Sequence, residues 1–227
     1  MVIKNICSLG PSRRAVNADQ KDLRRGDILT AAATLFERTP YEAITMSHVA
    51  TAAGVAKGTL YLYFPTREAL FLHLLGQHYA GWFDALDARL RQPHLSAQVW
   101  AEWVAHELVA RPLFLRLVAI LHVVLERNVP LPEVLVFKRQ LASRVATSGA
   151  ELERALDLPP AGGGRLLLWL QAVVPGLAQM ATPPAPLRAA IEADPQLAGL
   201  LVDFTTELRA LLAAVVHGLQ GTKGTPE

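Results

Sequence analysis

The stretch MSHVATAAGVAKGTLYLYF, Met46 to Phe64, constrains the fold of this chain more than any other. A helical pattern of small residues runs into Gly54-Val55, and a second short helical pattern follows with a lysine, a glycine and three aromatics. Two helices that cross steeply need a small residue where their backbones approach. They also need a residue tolerant of positive φ in the turn between them, and apolar anchors on the second helix. Ala50, Gly54, and Val55 with Leu60 supply these in turn, while Val49 and Ala53 face the same core. This is helix-turn-helix spacing, and in that motif the second helix enters the DNA major groove.

The flanking residues extend the pattern. Asp19 is placed to cap a first helix reaching about Arg38, with Ile28, Ala32, Leu35 and Phe36 at helical spacing. Thr39-Pro40 ends that helix, because proline cannot continue the backbone ladder and restricts the residue before it. Thr45 caps a short helix over 46–53, and a second covers about 56–63. Pro65 stops the second, and Thr66 caps a long fourth helix running from Arg67 to about Arg91. Leu70, Leu74, Leu75, Phe83, Leu86 and Leu90 form its buried side.

The residue types of the second short helix suit a phosphate backbone and base edges. Lys57 brings a positive charge, and Gly58 lets the backbone approach closely. Thr59 offers a hydroxyl and a methyl, and Tyr61 and Tyr63 carry hydroxyls on rigid rings. Helix-start amides donate to phosphates, which favours Thr45 and Arg67 as well. Leu62 either reads a thymine methyl or is simply exposed. Net charge is only +2, so overall charge does not argue for nucleic acid. Locally, Lys4, Arg13, Arg14, Lys21, Arg24 and Arg25 face only Asp19 and Asp22. Such a basic arm either tracks phosphates or is merely solvated.

Ile28-Leu29, Ala32 and Leu35-Phe36, then Tyr41 to Met46, His48-Val49-Ala50, Ala53 to Phe64 and Pro65 to Leu70 together resemble the DNA-binding domain of the TetR/AcrR family of bacterial repressors. The resemblance runs without a gap over roughly residues 25 to 72. It implies a homodimer with two helix-turn-helix heads and a helical ligand-sensing body. It also implies that Thr45, Lys57, Gly58, Thr59, Tyr61 and Tyr63 contact DNA and that Arg67 meets a phosphate. Pro40 stands where the family usually has a glycine, so the turn after the first helix must be built differently. Ala56 replaces a common serine.

Past Pro93, Leu/Val/Ala-rich helices are expected at about 95–110, 112–127, 131–157, 164–181 and 195–218. Ala161 to Gly164 and Pro183 to Pro186 are read as loops. The segments 112–126 and 166–178 are apolar nearly all round and must be buried on several faces. By analogy with the family, 164–181 and 195–218 form a four-helix dimer interface, and Pro175 would kink the first of them. A ligand cavity is expected among the helices spanning 67 to 181. Its candidate lining residues are Trp103, His106, Phe114, His122, Phe137 and Trp169, with Trp100 beside them. For His106 and His122 the partner is either a ligand or a backbone carbonyl.

Apolar residues are 52% of the chain and charged ones 19%, enough to build a sizeable core. Cys7 is the single cysteine, so no internal disulfide framework exists. No H-E-x-x-H, no Cys/His cluster and no Gly-Lys-Ser/Thr phosphate loop is present, which argues against an enzyme and against a metal or other cofactor. The run Leu166 to Ala181 falls short of the ~20 residues a membrane span needs. The expectation is an all-α, cytoplasmic, ligand-responsive regulator, most simply a repressor released from a palindromic operator by a small, largely apolar effector. Its parts would be a flexible basic arm (1–18), a helix-turn-helix head (19–66), a ligand-binding and dimerisation body (67–220) and a disordered tail (221–227). The alternative is a helical ligand-binding or adaptor protein that keeps the head fold without specific operator binding.

Overall fold

The computed structural model describes residues 13–93 and 95–222, with side chains from Gln20 onward. The expected arm therefore lies outside the described residues as far as position 12, and the expected tail does so from position 223. The helices are α1 (Arg13–Arg38), α2 (Met46–Ala52), α3 (Lys57–Tyr63), α4 (Arg67–Leu90), α5 (Ala97–Val109), α6 (Pro112–Ile120), α7 (Leu131–Ala155), α8 (Gly162–Ala181), α9 (Ala185–Ala193) and α10 (Phe204–Gly221). Short 3-10 turns cover Tyr41–Ala43, Leu125–Arg127 and Pro195–Leu200. No strand occurs among the described residues. The chain divides into two compact units, residues 1–70 and 71–227, and the division falls inside α4.

In the first unit, α1 buries Ile28, Ala32 and Phe36, α2 buries Val49 and Ala50, and α3 buries Leu60. Phe64 closes that core and is fully buried, with the Arg25 guanidinium 4.8 Å from its ring centre. Burying each large side chain of this kind is worth roughly 1.5–3 kcal/mol, which fixes the two seven-residue helices α2 and α3, too short to stand alone, against α1. α1 begins at Arg13, ahead of the expected cap at Asp19. No proline or glycine interrupts residues 12–25, so nothing stops the helical ladder there.

In the second unit, α10 packs along α5 and α8, and α8 also packs on α6 and α7. Trp100, Val104 and Leu108 of α5 and Leu208, Leu212 and Val216 of α10 are buried at helical spacing. The α7–α8 crossing is unusually close. A Cβ on Gly163 would stand 2.0 Å from the Gly149 carbonyl oxygen, and one on Gly149 would stand 2.8 Å from the Gly164 nitrogen. The crossing accounts for Gly149 and Gly163, and Gly162 to Gly164 open α8 instead of forming the expected loop. The reversal before them uses two left-handed residues, Asp157 (φ 51) and Ala161 (φ 62).

Three further expectations change. α6 stops at Ile120, where Val123 and Val124 follow, β-branched residues with low helix propensity. The proline-rich stretch at 183–186 starts a helix, α9, because Pro184 stands at its N-cap and Pro186 in its first turn, where a missing N–H costs nothing. The segment 195–218 is not one helix, since Asp203 caps α10 by accepting from Thr206 N at 2.8 Å. α8 continues through Pro175 to Ala181. No single helix among the described residues is long and apolar enough to cross a membrane.

Candidate DNA-reading face and ligand cavity

The turn between α2 and α3 is built as its residue types require. Gly54 has φ +64, a left-handed conformation that costs a side-chain-bearing residue about 1–2 kcal/mol. Val55 N donates to Ala50 O at 2.9 Å, which draws the chain back across α2. Thr45 caps α2, its hydroxyl accepting from His48 N at 3.2 Å. α3 then presents Lys57, Gly58, Tyr61 and Leu62 to solvent, with Thr59 and Tyr63 half-buried. Leu62 is 81% exposed and Tyr61 45%. A Cβ on Gly58 would meet nothing within 4 Å, so packing inside the protein does not demand glycine there.

Arg67 is engaged within the head. Its guanidinium donates to Ile44 O at 2.7 Å and to Tyr41 O at 3.2 Å, pairs with Glu68 at 3.2 Å, and lies 4.2 Å from the Tyr41 ring centre. Tyr41 OH donates to Glu68 Oε1 at 2.9 Å. Burial first, and the Glu68 charge second, raise the Tyr41 phenol pKa, while Arg67 opposes them. Arg67 is therefore an internal brace rather than a free cation. It holds the Tyr41–Ala43 turn against the start of α4, and that turn stands where the resemblance led us to expect a glycine ending: Ala43 N donates to Pro40 O at 3.1 Å.

The second unit holds a cavity bounded by α4, α5, α6, α7 and α8. Its aromatic side is Tyr79, Trp82 and Phe83 of α4 with Phe114 of α6. Its aliphatic side includes Leu141 and Val145 of α7 and Leu167 and Leu170 of α8, with the Gln171 amide among them. It offers about 30 Å³ to the centre of a water-sized sphere, and one water takes roughly 10–15 Å³ of such space. Tyr79 meets Phe114 edge-to-face at 5.0 Å and Trp82 meets Phe83 at 5.1 Å, so the aromatic wall is interlocked. Burial, then the nearby Glu126 charge, raises the Tyr79 pKa, which keeps its hydroxyl protonated.

Of the expected lining residues, Phe114 forms part of this wall, and Phe137 stands behind it, 6.1 Å from Tyr79. The others lie elsewhere. His122 is exposed and bonds Glu126 at 3.0 Å, which also pairs with Lys138. His106 is exposed, Trp103 half-buried, and Trp169 is 40% exposed with Arg165 4.9 Å from its ring centre. Trp100 is wholly buried as core. Helical phase is the reason: α5 buries positions 100, 101, 104, 105 and 108, and α8 buries 166, 167, 170 and 174. The aromatic side that sequence reasoning missed carries a signal, Tyr79-x-x-Trp82-Phe83, three aromatics on one face of a helix.

A family model described as bacterial regulatory proteins, tetR family, matches residues 28–74, and one described as tetracyclin repressor-like, C-terminal domain, matches residues 76–223. The chain belongs to the TetR family. It thus has the N-terminal helix-turn-helix head of the tetR family of bacterial regulatory proteins and a tetracyclin repressor-like helical body. YfiR of Bacillus subtilis, an uncharacterized HTH-type transcriptional regulator, is 33% identical over 90 residues, 40% of either chain. The transcriptional repressor KstR of Rhodococcus jostii is 40% identical over 86 residues, 38% of either chain. The chain thus matches about two-fifths of the length of these curated relatives. A TetR transcriptional regulator from Rhodococcus sp. RHA1 superposes with a TM-score of 0.57 at 22% identity, covering 88% of this chain and 98% of that one. The fatty acid degradation regulator FadR from Bacillus halodurans gives 0.56 at 17% identity, covering 87% and 96%. These two likenesses show the fold.

Proposed function

We propose that this TetR-family regulator acts as a homodimeric repressor, bound to a palindromic operator and released when a small, largely apolar ligand enters the body. The observation that carries the reading is α3 itself, which turns Lys57, Gly58, Tyr61 and Leu62 to solvent while Leu60 is fully buried. In this reading Thr45, Lys57, Thr59, Tyr61 and Tyr63 position the helix on phosphates, and Gly58 admits the backbone close to the groove. Arg67 contributes by holding the turn beside Thr45 rather than by meeting a phosphate.

Dimerisation is supported by α8. Leu168 is 54% exposed, Trp169 40% and Met180 58%, with Ala172 and Gly176 exposed between them. That face is mainly apolar, with Arg165 and Gln179 toward its ends and small residues at its centre, and suits close approach of a second copy. Two heads would then meet half-sites about 34–36 Å apart. The ligand needs only to bind the released state better than the bound one.

The test is a gel shift on DNA flanking the gene across a salt series, with Lys57→Ala beside the unaltered protein. Saturable binding to a palindrome is expected, and the substitution, which removes one phosphate contact from each copy of the dimer, is expected to weaken it and reduce the salt slope by about 1.8. Equal affinity and equal slope for the two proteins would remove α3 as the reading helix.

A further inference from the structure

α1 is longer than the head core requires. Its first buried residue is Ile28, yet the helix begins at Arg13, so about 22 Å of helix stands ahead of the core. Residues 20–24 of that stretch are all exposed, Leu23 among them at 70%. A helix in a folded domain is ordinarily held by burying one face, and this stretch buries none.

Its charges are sorted by side. Positions 14, 21, 25, 32 and 36 follow at intervals of seven, four, seven and four, which keeps them on one line along a helix. The line reads Arg14, Lys21, Arg25, Ala32, Phe36: basic ahead of the core, then buried within it. Position 24, another arginine, is on one flank of this line. Asp22 is on the other flank, and Asp19 and Asp27 are on the opposite side of the helix. Arg25 ties the line to the reading helix. Its guanidinium lies 4.8 Å from the ring centre of Phe64, the residue that ends α3. The basic line therefore leaves the head from the side of α1 on which the end of α3 packs. Lys21 and Arg24 are both exposed.

Resting on the reading of α3 as the helix that meets DNA, we infer that the first half of α1 is a second DNA-contacting element. It is a basic rail that lies along backbone phosphates outside the base pairs covered by α3, with Lys21 and Arg24 as its contacts. From position 14 to position 25 it spans about 16 Å, the run of about five phosphates on one strand. Phosphate contacts carry no sequence information, so the rail raises affinity for any duplex and leaves discrimination to α3.

The test is a gel shift across a salt series, on the full-length protein, with two long duplexes. One carries the DNA that flanks its own gene, and the other is of unrelated sequence. In Lys21→Ala/Arg24→Ala four phosphate contacts leave the dimer. The salt slope is expected to fall by about 3.6 on both duplexes, with binding at low salt weakened roughly tenfold or more. Lys21→Arg/Arg24→Lys keeps both charges and should keep the slope. Both side chains are exposed, so either variant should unfold at the temperature of the unaltered protein. Hydroxyl-radical footprinting on the gene-flanking duplex locates the contact: the alanine pair should lose protection at sugars beyond those that Lys57→Ala loses. An unchanged slope for the alanine pair, or loss of protection at the same sugars as Lys57→Ala, would overturn the inference and leave α3 standing. A flattened slope on the unrelated duplex, without saturable binding to the gene-flanking one, would keep the rail and remove the operator reading. Binding to neither duplex would overturn both.

Discussion

Leu62 is 81% exposed on a seven-residue helix that already has Leu60 to anchor it. Its side chain does nothing for the core, and an exposed leucine between two tyrosines is a poor choice for solubility alone. In the proposed DNA complex, an exposed leucine on the reading helix suits the C5-methyl of a thymine in the major groove. Leu62→Ala is expected to lower affinity for the natural operator while leaving nonspecific binding unchanged. The loss should be concentrated at one base pair per half-site, about 1 kcal/mol of discrimination there, below the usual cost of a full mismatch. Binding measured against operators substituted one pair at a time would reveal it, and a uniform profile would reduce Leu62 to a bystander. Arg67 teaches the complementary lesson at the same scale. A basic residue at a helix start reads from sequence as a phosphate contact, yet its donors are engaged by Ile44 O, Tyr41 O and Glu68.

Among the elements, those that follow from local rules were legible and those that depend on a neighbour were not. The α2–α3 pair follows from Ala50, Gly54 and Leu60 alone, because a tight turn has few chemical solutions. The start of α8 did not follow. Three successive glycines read as a loop until α7 is seen passing so close that a Cβ on Gly163 has no room. The same limit applied to the cavity. Phe83 was visible as a buried residue of α4, but that Tyr79 and Trp82 join it opposite Leu141 and Leu170 is decided by how α4, α7 and α8 are rotated against each other. Single-helix periodicity does not encode that rotation. The close crossing makes a direct prediction: Gly163→Ala must push backbone against backbone. It is expected to destabilise the body by about 1–3 kcal/mol or more, as overpacking does. Thermal unfolding should show it as a clear drop in midpoint, whereas Gly26→Ala, inside α1 with nothing within 4 Å of the added carbon, should leave the midpoint where it is or raise it.

For the whole molecule, the proposed homodimer puts the outward face of α8 between the two copies. Placing a charge in its apolar stretch, as in Leu168→Glu, is expected to yield monomers by sedimentation velocity. The fold should be kept, because Leu168 is 54% exposed within its own chain. A sedimentation profile identical to that of the unaltered protein would move the dimer contact off α8. Inside the body, the glycine crossing has a mechanical meaning. Counting outward from Gly149 and Gly163, Val145 and Leu167 stand four residues away on either helix, and Leu141 and Gln171 stand eight away. The cavity wall therefore begins about one turn from the pinned point and continues to the second, near 5.4 Å per turn. Two rods fixed where they cross can swing but not separate. Room for a guest would open like the jaws of a nutcracker, widening in proportion to distance from the pivot, so a bulky group at the far end needs the least force to fit.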